Sequence, residues 1–320
     1  MPPRTRARAS LALPFLFALA ACGSSDPVGS GPAGSGPVEV RAEVRDLVDS
    51  SRATRPNATF PGAPERTLQT RLWFASSAPR SAPACSRNGC ALFVLAHGFG
   101  GSTERFETIG RWLAEAGYVV AAVRFPLTND QAPGGHPSAI GDVVEQPADL
   151  SFVIDELLAA SASSGDSLSG RIDPERIGIL GHSLGGVTAI AHSRSACCTD
   201  RRVGAVVLVA GIEIAAEGFF GPISASGPPT LVTSGSDDPI VPPASSESLY
   251  GAIEAPRALV VQSEADHVDL IEVFGEVDPA LERTRDLVIA FLDRYLGSGG
   301  DLEGALDDLA TQGHLVRYDP

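Results

Sequence analysis

One stretch narrows the choice of fold more than any other in this chain: RIGILGHSLGGVTAI, residues 176–190. It sets Ser183 among Gly181, Gly185 and Gly186, directly after one apolar run and directly before another. A buried strand wants bulk, and a helix interior loses about 1 kcal/mol when glycine replaces alanine. The conflict disappears if RIGIL is a central strand, VTAIAHS opens a helix, and HSLGG turns sharply between them. Such a turn strains the serine backbone and lifts its hydroxyl above the sheet edge. The flanking residues are small because neighbouring backbone passes close by.

The flanking sequence supplies the rest of a sheet. RTLQTRLWF (66–74) alternates in polarity as a half-buried strand does. ALFVLA (91–96) and YVVAAV (118–123) are continuous apolar runs, as expected of parallel strands covered on both faces. Further runs of this kind lie at 205–209, 230–233 and 259–261. Between them Phe106, Ile109 and Leu113 repeat at helical spacing, as do Leu150, Val153, Ile154, Leu157 and Leu158, and a last clear helix is predicted over 281–296. Residues 124–146 read as a long loop rich in Pro, Gly, Asn and Asp, and the acidic, weakly periodic end of the chain as one surface helix. Strand–helix alternation predicts one α/β domain over 38–297, a mostly parallel, doubly wound sheet with helices on both faces, followed by a tail at 298–320.

A serine hydroxyl is a poor nucleophile until a base takes its proton, and that base needs an orienting acid. In a nucleophile elbow the chain order is Ser, acid, His. TLVTSGSDDPIVPP ends a strand in a loop bearing Asp237 and Asp238, and ALVVQSEADHVDL ends the next in a loop bearing His267. Acid and base would then share one rim with Ser183, where open parallel sheets carry their sites. Asp238 is favoured over Asp237 because its Pro-Ile-Val-Pro continuation turns back toward the rim. Asp266 and Asp269 read as ordinary loop carboxylates, and His97, His182 and His192 as locally packed. The oxyanion of acyl transfer needs two N–H donors: Leu184 follows the nucleophile, and the HGFGG loop after ALFVLA offers Phe99, with Gly98 or Gly100 in reserve.

Composition enters as exclusion. All 24 basic residues are arginine, which removes a Schiff-base lysine and the GK[ST] phosphate loop together. A net charge of −15 argues against nucleic acid as a partner. MPPRTRARAS and then LALPFLFALAA have the layout of a secretory leader, 1–21, and its end, Leu19–Cys22, resembles the bacterial lipobox. That resemblance implies cleavage before Cys22, lipidation there, and an exported protein held to a membrane. Residues 22–37, rich in Gly, Ser and Pro, then form a flexible tether. Cys85, Cys90, Cys197 and Cys198 are an even set in an exported chain, so two disulfides are expected, their pairing open; the spacing does not match a zinc site.

On FVLAHGFGGSTERF, LAEAGYVVAAVRFP, QPADLSFVIDELLA, RIDPERIGILGHSLGGVTAI and GSDDPIVPP, the chain resembles the α/β-hydrolase superfamily. Within it the chain is similar to dienelactone-hydrolase-like, chlorophyllase-like and platelet-activating-factor-acetylhydrolase-like esterases and to cutinase-type polyester hydrolases. The resemblance implies cofactor-free hydrolysis of a small or polymeric carboxylic ester by a monomer, with Ser183, Asp238 and His267 as the triad and Phe99 and Leu184 as oxyanion donors. Polyester hydrolases carry a substrate-clamping tryptophan where this chain has LVAGIEI, so Ile212 stands near that place beside Phe99. Dienelactone hydrolases use a cysteine nucleophile where this chain has serine. Two other readings keep the scaffold: an acyltransferase or peptidase with the same triad, and a non-catalytic binding lipoprotein.

Overall fold

The computed structural model describes residues 38–77, 81–135, 140–211, 213–273 and 276–320. The leader, Cys22 and the tether therefore lie outside the described residues, and so does Ile212. Ten strands build one sheet: β1 (Val40–Asp49), β2 (Arg66–Ala75), β3 (Cys85–Ser86), β4 (Gly89–Ala96), β5 (Val119–Arg124), β6 (Ile172–His182), β7 (Val203–Val209), β8 (Thr230–Gly235), β9 (Arg257–Gln262) and β10 (Leu315–Asp319). Their order is β1-β2-β5-β4-β6-β7-β8-β9-β10, with β3 a short flap on β4. The central run from β5 to β9 is parallel; β1, β2 and β10 pair antiparallel. The expected α/β-hydrolase architecture is thus a mixed, mostly parallel sheet.

The helices are α1 (Glu107–Glu115), α2 (Gln146–Ala162), α3 (Leu184–Arg194), α4 (Glu213–Phe220), α5 (Pro243–Ala252), α6 (Pro279–Tyr295) and α7 (Leu302–Thr311). Alternation along β4 shows how the layers form. Leu92, Val94 and Ala96 face a core shared with Leu150, Val153, Ile154 and Leu157 of α2 and Val187 and Ile190 of α3. Ala91, Phe93 and Leu95 face the other core, with Ile109 and Leu113 of α1, Phe291 and Leu292 of α6, and Leu306 of α7. A strand with both faces covered has to be apolar at every position, which is why ALFVLA shows no alternation.

Two parts differ from the sequence reading. The segment read as a tail with one surface helix holds two packed elements: α7 buries Leu302, Leu306 and Leu309, and β10 pairs with β9 from Leu315↔Val261 to Asp319↔Arg257. The cysteines pair with near neighbours, Cys85 with Cys90 and Cys197 with Cys198.

Residues 140–146, the end of the segment read as a loop, are held by a buried ion cluster. Arg66, fully buried at the start of β2, bonds Asp149 at 2.7 Å through Nε and Asp142 at 2.8 Å through Nη2. Burial alone would lower the pKa of Arg66; its bonds to Asp149 and Asp142 outweigh this and hold it above the usual guanidinium value. β1 begins at Val40, opposite Ala75, and ends at Asp49, opposite Arg66. Because Gln69 pairs with Arg124 at the end of β5 and Trp73 with Val120 near its start, Val40 lies where the parallel strands begin.

Candidate active site

β6 ends at His182, and α3 begins at Leu184. Ser183 between them has φ 54° and ψ −116°, a left-handed value that non-glycine residues rarely take. Its N–H donates to the Val209 carbonyl at 2.9 Å. The glycines are sterically required. A Cβ on Gly181 would stand 2.1 Å from the Gly185 oxygen, and one on Gly185 would stand 2.1 Å from the Ala96 oxygen. Helix and neighbouring strand approach so closely that neither position admits a side chain.

Asp238 follows β8 and His267 follows β9. His267 Nδ1 donates to Asp238 Oδ2 at 2.7 Å, and both residues are buried. The other carboxylate oxygen, Oδ1, accepts from the N–H groups of Ile240 (2.8 Å) and Val241 (2.7 Å). Three donors therefore fix Asp238. Asp237 is exposed and lies in a turn with Ser236. Asp266 and Asp269 shape the loop that carries His267: Asp266 N–H donates to Asp269 Oδ2, and Val268 N–H to Asp266 Oδ1, each at 2.8 Å. Gly235 lets the two loops touch, since a Cβ there would lie 2.1 Å from the Ala265 oxygen.

Ser183 and His267 line one cavity of about 360 Å³ with His97, Phe99, Phe106, His182, Ile240 and Ile271 among its walls. Phe99 is 42% exposed at this cavity. Gly98 backs onto Ser183, where an added Cβ would meet Ser183 Cβ at 3.0 Å. Gly100, one of the reserve donors, has its N–H engaged by the Thr128 carbonyl at 2.8 Å. Leu184 stands in the first turn of α3, where N–H groups have no partner within the helix.

Local packing was the expectation for His97 and His182, and it accounts for only half of what they do: both also line the cavity. His182 Nε2–H donates to the backbone carbonyl of His267 at 2.8 Å, and the two rings lie 4.8 Å apart. His182, one residue before Ser183, thereby holds the backbone of His267. His97 Nδ1–H donates to Gly98 O at 2.7 Å, while its Nε2 accepts from Phe125 N–H at 3.1 Å, tying the ends of β4 and β5 together. Burial pushes both imidazoles down to about 4, so both stay neutral near pH 7. The signal in the sequence was their place: each stands one residue before a glycine or serine at a strand end. His192, by contrast, sits far along α3, bonded to Ser151 at 3.0 Å, and lines no part of this cavity.

Chemically, an imidazole tied to a carboxylate through Nδ1 leaves Nε2 to exchange a proton inside a cavity that a strained serine also lines.

A model of the PETase family, described as PET hydrolase-like, matches residues 82–299. Among solved structures, the ferulic acid esterase from Streptomyces cinnamoneus is similar, with a TM-score of 0.59 and 25% identity. That match covers 82% of this chain and 92% of the esterase. No curated protein matches the sequence significantly.

Proposed function

The chain belongs to the PETase, PET hydrolase-like family and is a carboxylic-ester hydrolase, and from that premise we propose that Ser183, His267 and Asp238 are its catalytic triad. The observation that carries this reading is the 2.7 Å bond between His267 Nδ1 and a buried Asp238, beside a serine held at positive φ in the same cavity. In the proposed cycle, His267 Nε2 takes the Ser183 proton as Oγ attacks the ester carbonyl. The N–H groups of Phe99 and Leu184 receive the oxyanion. The imidazolium, steadied by Asp238, returns the proton to the departing alcohol. Water, deprotonated by the same Nε2, then cleaves the acyl-enzyme to release the acid and restore the serine. No step calls for a cofactor.

Ser183→Ala is expected to lower kcat/KM for p-nitrophenyl butyrate by several powers of ten and to abolish labelling by a fluorophosphonate. A variant as fast as the parent would falsify the reading. The leader over 1–21, followed by Cys22, supports export and lipid anchoring as part of the same proposal; incorporation of radiolabelled palmitate that is lost in Cys22→Ala tests it.

A further inference from the structure

We propose that Arg105 and Glu272 form a partition that ends the catalytic cavity and caps the length of the ester arm lying along it. The inference rests on the esterase reading of this site and adds a specificity device to it. Both residues line the catalytic cavity with Phe106 and Ile271. Both also line a second cavity of about 360 Å³ on the far side, with Glu104, Glu107, Thr108 and Val273. They are the two residues common to the two linings, so the wall between the spaces is this ion pair.

The wall is well supported on its backbone side. Arg105 sits in the short 3₁₀ turn Thr103–Phe106, whose last side chain is buried. Glu272 and Ile271 both donate their N–H groups to the Val268 carbonyl at 2.9 Å, one residue after the base. What closes the gap is side chain alone: Arg105 Nη1 lies 2.6 Å from each carboxylate oxygen of Glu272. The partners are unequal. Glu272 is 6% exposed, whereas the Arg105 side chain is 40% exposed, so the arginine forms the solvent-facing half of the wall.

The two spaces also differ in chemistry. The catalytic side is walled largely by Phe99, Phe106, Ile240, Val268 and Ile271, whereas the far side is largely carboxylate. About 360 Å³ is near the lower end of ligand-pocket sizes. An apolar arm that fills the first space meets a hydrogen-bonded ion pair, and extending it means breaking that pair or stopping short. The partition therefore favours esters with compact acyl and alcohol groups. Shortening Arg105 joins the cavities and gives a longer arm a path along Ile271 and Val273.

The test reads a ratio, so that a general loss of activity cancels. kcat/KM is measured for p-nitrophenyl acetate, butyrate, octanoate and decanoate and for a matching series of alkyl acetates. The parent, Arg105→Ala, Arg105→Lys and Glu272→Gln are compared, with thermal midpoints recorded. Arg105→Ala is expected to raise the long-to-short ratio about fourfold in at least one series, the gain from burying roughly one further methylene group against Ile271 and Val273. Arg105→Lys and Glu272→Gln should raise it less, and they carry the test if the alanine variant does not fold. A ratio unchanged in both series overturns the partition. That includes the case in which all rates fall in parallel, as expected of a pair that only braces the base loop. Ser183→Ala is assayed alongside: if it matches the parent, the triad assignment fails instead, whereas a Ser183-dependent parent with an unmoved ratio overturns the partition alone.

Discussion

Asp238 and Asp237 show how much the surroundings of one carboxylate can decide. Asp238 accepts from His267 and from two backbone amides, whereas its neighbour Asp237 lies in a solvent-exposed turn. The two adjacent aspartates should therefore separate cleanly under mutation. Asp238→Asn keeps the shape but offers an amide to Nδ1, favouring the wrong imidazole tautomer; kcat is expected to fall by about 10⁴. Asp237→Asn should leave kcat within a few-fold of the parent. Steady-state kinetics on p-nitrophenyl acetate checks both, and equal losses would reverse the assignment of the acid. The turn that holds Asp238 was legible because Pro239 and Pro242 announce it. The bonds of His182 were not, because a histidine beside a serine looks the same whether it packs or grips.

Among elements, β2 and α2 are joined by a charge cluster as well as by their apolar stripes. Arg66 opens β2 and meets Asp149 in the first turns of α2 and Asp142 just before it, all three buried. Removing one partner of such a set strands the remaining charges away from water, at a cost of about 3–5 kcal/mol. Arg66→Met is expected to lose that much stability by urea unfolding at pH 7, while Arg317→Met, which breaks an exposed pair with Glu247, should lose less than about 1 kcal/mol. Equal losses would mean that the cluster is not the anchor of this region. The central strands were readable because burial on both faces leaves continuous apolar runs at 91–96, 118–123 and 205–209. The edges were harder. LVRYD at 315–319 is short and mixed in polarity, and it becomes β10 only because the edge of β9, some fifty residues earlier, is open to receive it. β1, with Arg, Glu and Asp scattered along it, owes its strand state to ten paired positions on β2. Partners distant in sequence leave no local trace.

At the scale of the whole fold, buried histidine is a strongly acid-sensitive feature among the described residues. His97, His182 and His192 are each pushed down to about 4 by burial, against 6.5 in the open chain. A group with a depressed folded-state value lends stability above pH 6.5 and loses it as pH falls toward 4, because the unfolded chain binds the proton first. Each shift is worth about 3 kcal/mol, so three together rival the whole stability of a typical domain. The thermal midpoint is expected to hold steady from pH 8 to 7, fall steeply below pH 6, and vanish near pH 4. A flat profile down to pH 4 would show that these rings accept protons in place.

The position of Val40 has a practical meaning. The chain enters the sheet at the end where the parallel strands begin, and Ser183 opens at the end where they finish. A probe or support that must not cover Ser183 therefore belongs at the Val40 end of the sheet, opposite the cavity.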